Sequence, residues 1–110
     1  MISQGKIKGL NKLVNSGIIK NIYPMIDHID IDIYHTHSYH SEDFLALNCQ
    51  IYLNDPEITK ENMYEMGFDP HYLVEFHISD LLPYFGLKNV INTKIEVYSP
   101  DGSRIMYYIL

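Results

Sequence analysis

Residues 25–37 alternate between apolar and polar with period two: Ile29, Ile31 and Ile33 fall on one side, Asp30, Asp32 and Tyr34 on the other. Successive side chains of a strand point to opposite faces, so the pattern predicts a strand with one buried and one wet face. Residues 44–53 repeat it, with Leu45, Leu47, Cys49, Ile51 and Leu53 on one face and Phe44, Ala46, Asn48, Gln50 and Tyr52 on the other. The connector THSYHSED is polar and short, which predicts an antiparallel hairpin. A second hairpin closes the chain. Ile91, Thr93, Ile95 and Val97 alternate with Asn92, Lys94, Glu96 and Tyr98, and Ser99-Pro100-Asp101-Gly102 has the chemistry of a type I turn followed by a left-handed glycine. Residues 104–110 then return as the last strand.

Helical spacing occupies the rest. In 4–15, Ile7, Leu10, Leu13 and Val14 share a face, weakened by Gly5 and Gly9 and stopped at Ser16-Gly17. A short helix is expected over 59–66, ending at Gly67. Asp69-Pro70 supplies an N-cap and a first-turn proline for a longer one. Behind it Val74, Ile78, Leu81, Leu82 and Phe85 recur at helical spacing, with Leu73 and Phe76 widening the stripe and Pro83 kinking the last turn. The expected architecture is one α+β domain over 1–110. It is a mainly antiparallel four-stranded sheet built from two β-hairpins, with helices packed on one face, in the order α-ββ-α-α-ββ. The alternation leaves strand order open.

Composition narrows the function classes. Of 110 residues 46% are apolar and 20% charged, ordinary for a globular chain and unlike a disordered one. The bias towards Ile, Tyr and Asn, with no Trp, is what an AT-rich coding genome leaves, and suggests phage or viral origin. The formal net charge is −6 and the 8 Lys and Arg are dispersed, so general nucleic-acid binding is not expected. The basic run Lys6, Lys8, Lys12 and Lys20 reads as a solvated helix face. Cys49 is the single cysteine, placed in an apolar strand as a buried small hydrophobe, which suits a reducing, cytoplasmic setting or a virion. No signal peptide and no membrane span are expected, since no apolar run approaches ~20 residues.

The one cluster with metal-ligand character is His35-Thr36-His37-Ser38-Tyr39-His40-Ser41-Glu42-Asp43. On an extended strand His35 and His37 point to one side, within reach of one ion, and His40 could add a third ligand from the turn. Three protein ligands with an open position is how catalytic zinc is held. Together with Asp32, the stretch 32–41 resembles the opening metal-binding strand of PHP-family phosphoesterases, in which a His-x-His pair at a strand end is followed by a serine. That resemblance implies a multinuclear site in a large barrel completed by later strands. It covers about ten residues; the chain is too short for the barrel, and only His71 and His77 come later. No catalytic role is carried over from it. His35 and His37 share parity with Ile29, Ile31 and Ile33, while Asp30 and Asp32 have the opposite parity, so a solvated hairpin tip is the plainer reading. His77, beside the apolar stripe of the long helix, reads as a packed histidine, and Cys49 lacks an electropositive neighbour.

With no complete catalytic set, the sequence reading is a non-enzymatic protein-binding or assembly module, needing no cofactor. It would act on another protein, or on itself, through a Tyr-rich sheet face or an edge strand. Tyr39, Tyr52, Tyr98 and Tyr108 supply the rings. The last strand, Ile105-Met106-Tyr107-Tyr108-Ile109-Leu110, is apolar on both parities. Either the N-terminal helix covers its second face, or Met106, Tyr108 and Leu110, with Tyr98, meet a partner. Two alternatives stand beside this reading. One is a metal-dependent hydrolase using His35, His37 and His40. The other is an acidic inhibitor or nucleic-acid mimic with Asp27, Asp30, Asp32, Glu42 and Asp43 as its stripe.

Overall fold

Ser3 opens the first helix: its hydroxyl accepts from the Gly5 N–H at 3.1 Å, satisfying one of the donors a helix start leaves free. A computed structural model of the chain describes residues 3–36 and 44–109. α1 (Gln4–Val14) buries Ile7, Leu10 and Val14. Gly17, at φ 114°, takes a left-handed turn closed to side-chain-bearing residues, and a single-turn helix, α2 (Ile18–Ile22), follows with Ile19 buried. β1 (Ile26–Thr36) and β2 (Phe44–Leu53) pair antiparallel in the register the alternation implies, Ile29 with Ile51, Ile31 with Cys49 and Ile33 with Leu47.

The expected helix at 59–66 does not form. Thr59 and Asn62 instead bond reciprocally, backbone N–H to side-chain oxygen (2.7 and 3.2 Å), and the Asn62 amide donates to the Glu57 carbonyl at 2.9 Å. The Thr59–Asn62 pairing has the form of a helix capping box, and the Met63 and Met66 N–H groups reach back four residues to the Thr59 and Asn62 carbonyls. But the Gly67 N–H closes on Tyr64 and the Phe68 N–H on Met63, so the segment stays a run of turns that buries Met63 and Phe68. Asp69 then caps a helical segment as expected, its carboxylate accepting from the Tyr72 N–H at 3.1 Å with Pro70 in the first turn. The segment is not uniform. α3 (Pro70–Tyr72) widens into a π-helical stretch (Leu73–Ile78) and tightens into a 3-10 stretch (Ser79–Phe85) that contains Pro83. Leu73, Val74, Ile78 and Leu82 are buried as the stripe predicts, but Phe76 is 51% exposed. Two residues past Val74 lies on the far side of a helical turn, so Phe76 never belonged to the stripe.

β3 (Val90–Tyr98) and β4 (Arg104–Ile109) form the second antiparallel hairpin. The strand order is β1-β2-β3-β4. The inner pair, β2 with β3, is parallel, so the sheet is mixed and the mainly antiparallel expectation is corrected. The cause is the path of the connection: the chain leaves β2 at Leu53 and crosses back over its whole length before β3 starts. There the Leu45 N–H donates to the Asn89 carbonyl at 3.0 Å. Parallel neighbours need such a crossover, and the helical segment supplies it on the face that α1 also covers. The core lies between that helical layer and Ile29, Ile31, Ile33, Leu47, Cys49, Ile51, Ile95 and Val97 of the sheet. Among the described residues no helix is long and apolar enough to cross a membrane.

Candidate functional site

The helices take one face of the sheet, and among the described residues no helix covers the other. Register places the side chains of that open face in rows across the strands. His28, Tyr52, Tyr98 and Arg104 form one row; Asp30, Gln50, Glu96 and Tyr107 the next; Asp32, Asn48, Lys94 and Ile109 the third; Tyr34, Ala46 and Asn92 the last.

The first row is a stack of rings. His28 lies on Tyr52 with centroids 4.4 Å apart and planes 7° from parallel, and Tyr52 lies on Tyr98 at 5.0 Å and 14°. Cross-strand neighbours sit about 4.5–5.5 Å apart, which is the spacing that lets flat rings on adjacent strands stack. His28 is held from behind by Asp27, whose carboxylate lies 2.6 Å from its Nδ1.

The second row centres on Glu96, which is buried although it sits on the side of β3 away from the core. Its carboxylate accepts from the Tyr98 hydroxyl (2.6 Å) and from Arg104 Nη1 (3.1 Å), with Lys94 Nζ 3.8 Å from its other oxygen. The Tyr98 hydrogen bond is the largest cause holding the carboxyl below its ordinary value, helped by Arg104, Gln50 and Lys94 against the opposing effect of burial. The same bond pushes the Tyr98 phenol up. Arg104 and Lys94 also lie over the Tyr107 ring, 4.7 and 5.7 Å from its centroid. Both cations of this face are therefore committed to Glu96 and Tyr107, whereas Asp30 and Asp32 are exposed. The charge left for a visitor is negative.

Two depressions flank these rows. One, of about 280 Å³, is lined by Tyr34, Thr36, Ala46, Asn92, Lys94 and Ile109 among others. The other, of about 390 Å³, lies at the end of the ring stack beside Asp27, Asn54 and Pro100. Thr36 Oγ1 and Asn48 Oδ1 are buried and lack a hydrogen-bond partner among the described residues. Both belong to open-face positions, and an unpartnered buried acceptor is a place where a donor is gained at little desolvation cost.

The residues singled out from sequence are distributed as follows. Tyr98 is in the ring stack. Met106 and Tyr108 lie on the opposite face, Met106 within the core and Tyr108 half-buried with its ring 5.8 Å from that of His71. Burial pushes the Tyr108 phenol up, and its hydroxyl has no partner among the described residues. Leu110 lies outside the described residues. His35 is exposed at the end of β1, and His37 and His40, with Glu42 and Asp43, lie outside the described residues. Among the described residues no group of three His, Cys, Asp or Glu is placed to hold a metal ion. Cys49 is fully buried, and burial, with Asp30 adding, pushes its thiol up to about 12. Sequence reasoning missed the His28–Tyr52 contact and the Glu96 hub. Parity places Tyr52 and Tyr98 on wet faces and Lys94, Glu96 and Tyr98 on one side at two-residue spacing, but only the pairing of β2 with β3 brings these residues together. Comparison of the chain with protein-family models, with curated proteins and with solved structures finds no match.

Proposed function

We propose that this chain is a non-enzymatic protein-binding module whose open sheet face receives a basic segment of a partner protein. The observation that carries the reading is the ring stack His28–Tyr52–Tyr98 on a face that no helix among the described residues covers. Aromatic rings fixed by stacking have little side-chain entropy left to lose, which is why Tyr-rich surfaces bind well. Charge chooses the partner. Asp30 and Asp32 are exposed on the row ends beside the stack, and Arg104 and Lys94 are engaged by Glu96. Arginine or lysine side chains meet the exposed carboxylates with their head groups while their apolar stems lie along the ring stack. A phosphate backbone would meet the same carboxylates, with both described cations of the face already engaged by Glu96.

The test is selection of displayed peptides against the folded chain, followed by affinity measurement of the winners. Selected peptides should be rich in Arg and Lys, and binding should weaken as salt rises. Tyr52→Ala should weaken it by about 2 kcal/mol, the scale of a buried aromatic anchor. Asp32→Asn should flatten the salt dependence. Peptides that bind Tyr52→Ala and Asp32→Asn as tightly as the parent would place the binding surface elsewhere.

A further inference from the structure

The two edges of the sheet are treated differently. At an edge strand, alternate residues turn their backbone N–H and C=O away from the sheet. On β1 these include Ile29 and Ile31, and α1 occupies both. Asn15 donates to the Ile29 carbonyl at 2.8 Å and accepts from the Ile29 N–H at 2.9 Å. Asn11 does the same at Ile31, at 2.9 and 2.7 Å. The fit is geometric: four helical residues rise about 6 Å and two strand residues about 6.7 Å, so asparagines one turn apart meet every second residue of the strand. The Ile33 N–H is taken by the Asp32 carboxylate at 3.0 Å. Two successive outward positions of β1 are thus satisfied in full, and the N–H of the third, within the chain.

β4, at the other edge, has nothing of the kind. Among the described residues no side chain, and no backbone group outside the β3–β4 pair, hydrogen-bonds to the main chain of 104–109. From Ile105 to Ile109 the strand carries no charge, no proline and no glycine, the usual means of blunting an edge. Its register irregularity falls at the Tyr98 end, so Met106 to Ile109 pair regularly. Tyr107 and Ile109 are 44% and 61% exposed beside the unpaired backbone.

We propose that β4 is a strand-addition edge whose occupant is β4 of a second copy, paired antiparallel about a two-fold axis. The four-stranded sheets of two copies then become one continuous sheet with both helical layers on the same side. This goes beyond the open-face reading and does not depend on it. The strand is its own complement, uncharged from Ile105 to Ile109, and its one charge sets the direction. The one charge on β4 is Arg104, at its start. Antiparallel pairing puts the two arginines at opposite ends of the joint, where parallel pairing would set them side by side. Side chains that face each other across the joint must lie on the same face of the sheet. Centred on Tyr107, that rule sets Tyr107 against the partner's Tyr107 on the open face and Met106 against the partner's Tyr108 on the helical face. Both are favourable cross-strand contacts, ring on ring and sulfur on ring.

Sedimentation of the full chain over a range of concentrations tests it. The wild type should sediment with twice the mass of one chain, and the amides of 105–109 should gain hydrogen-exchange protection as concentration rises. Tyr107→Glu stands across from Glu96 but between Lys94 and Arg104, so cations offset it within the single chain, whereas across the joint it opposes its own copy with none. Its dimer dissociation constant should rise at least about tenfold, and mixing it with Tyr107→Lys should restore the dimer. Ile109→Lys, at the end of the strand, should weaken the dimer without disturbing the core. A wild type that stays monomeric at every concentration overturns the proposal. A dimer unaffected by both Tyr107→Glu and Ile109→Lys, with circular dichroism showing both variants folded, overturns it equally.

Discussion

Leu47 is 1% exposed in β2, in register between Ile33 and Thr93. Truncating it removes packed methyl groups from a region that backbone on three strands holds open. Leu47→Ala should therefore lower stability by ~2–5 kcal/mol, read from the midpoint of urea unfolding. Its burial was legible, because a period-two pattern names the inward face of a strand without any knowledge of its neighbours. Glu96 was not legible in the same way. Parity put it on the wet face, yet it is buried, because Tyr98, Arg104 and Lys94 close over it from its own strand and the next. Its lowered pKa has a consequence for acid stability. The unfolded chain takes up a proton near the ordinary value of 4.5, the folded chain only at lower pH. The stabilisation is therefore fully present above that value and is lost as pH falls through the folded pKa. Glu96→Gln should lower the thermal midpoint at neutral pH and flatten its decline in acid, measured by calorimetry across the acid range.

At the scale of elements, α1 does more than cover the core. Asn11→Ala with Asn15→Ala would leave the outward N–H and C=O of Ile29 and Ile31 without their partners. The expected cost is about 1–3 kcal/mol for each site. Hydrogen exchange at the Ile29 and Ile31 amides should accelerate ahead of exchange at Cys49 and Ile51, which lie inside the sheet. Nothing in the sequence distinguishes these two asparagines from any polar pair on a helix. Their role exists only once β1 lies alongside. Gly9 makes the same point from the other direction. Read along the chain it merely weakens a helix, whereas in the fold a Cβ there would sit 2.9 Å from Cε1 of Phe85. The glycine lets α1 approach the helical segment closely. Strand boundaries were far more readable: β2 spans the residues its alternation marks, since Asn54 and Pro56 end the pattern that Phe44 begins. The segment expected as a helix at 59–66 opens with a Thr59–Asn62 capping pair and makes two four-residue backbone bonds, but Gly67 and Phe68 close back on Tyr64 and Met63, a stop that helical periodicity does not register.

For the whole molecule, the parallel joint between β2 and β3 is the decisive feature. It cannot form until the connection 54–89 has crossed the sheet, so a large part of the core depends on contacts distant in sequence. Folding should accordingly be slower than that of a helical bundle of this length, in the millisecond to second range, as stopped-flow refolding would show. The hairpins β1–β2 and β3–β4 are local by comparison, and each has its own alternation and turn chemistry. Joining them in parallel brings Gln50 beside Glu96 and Tyr52 beside Tyr98. That joint assembles both the Glu96 hub and the ring stack, so the candidate face is a product of topology.

The sequence by itself determined the two hairpins, the inward parity of β1, β2 and β3, the Asp69–Pro70 helix start and the negative balance of charge. Each of these depends on near neighbours in the chain: a two-residue or helical period, a cap, a turn or a sum. Tertiary structure alone decided that the hairpins meet in parallel, that Glu96 is buried, that His28 and Tyr98 sandwich Tyr52, and that, among the described residues, one sheet edge is closed while the other is open. Those depend on which strand lies beside which and where a helix comes to rest. A side-chain alternation carries no such information, because it reports the face a residue takes and is silent about its neighbour across the gap.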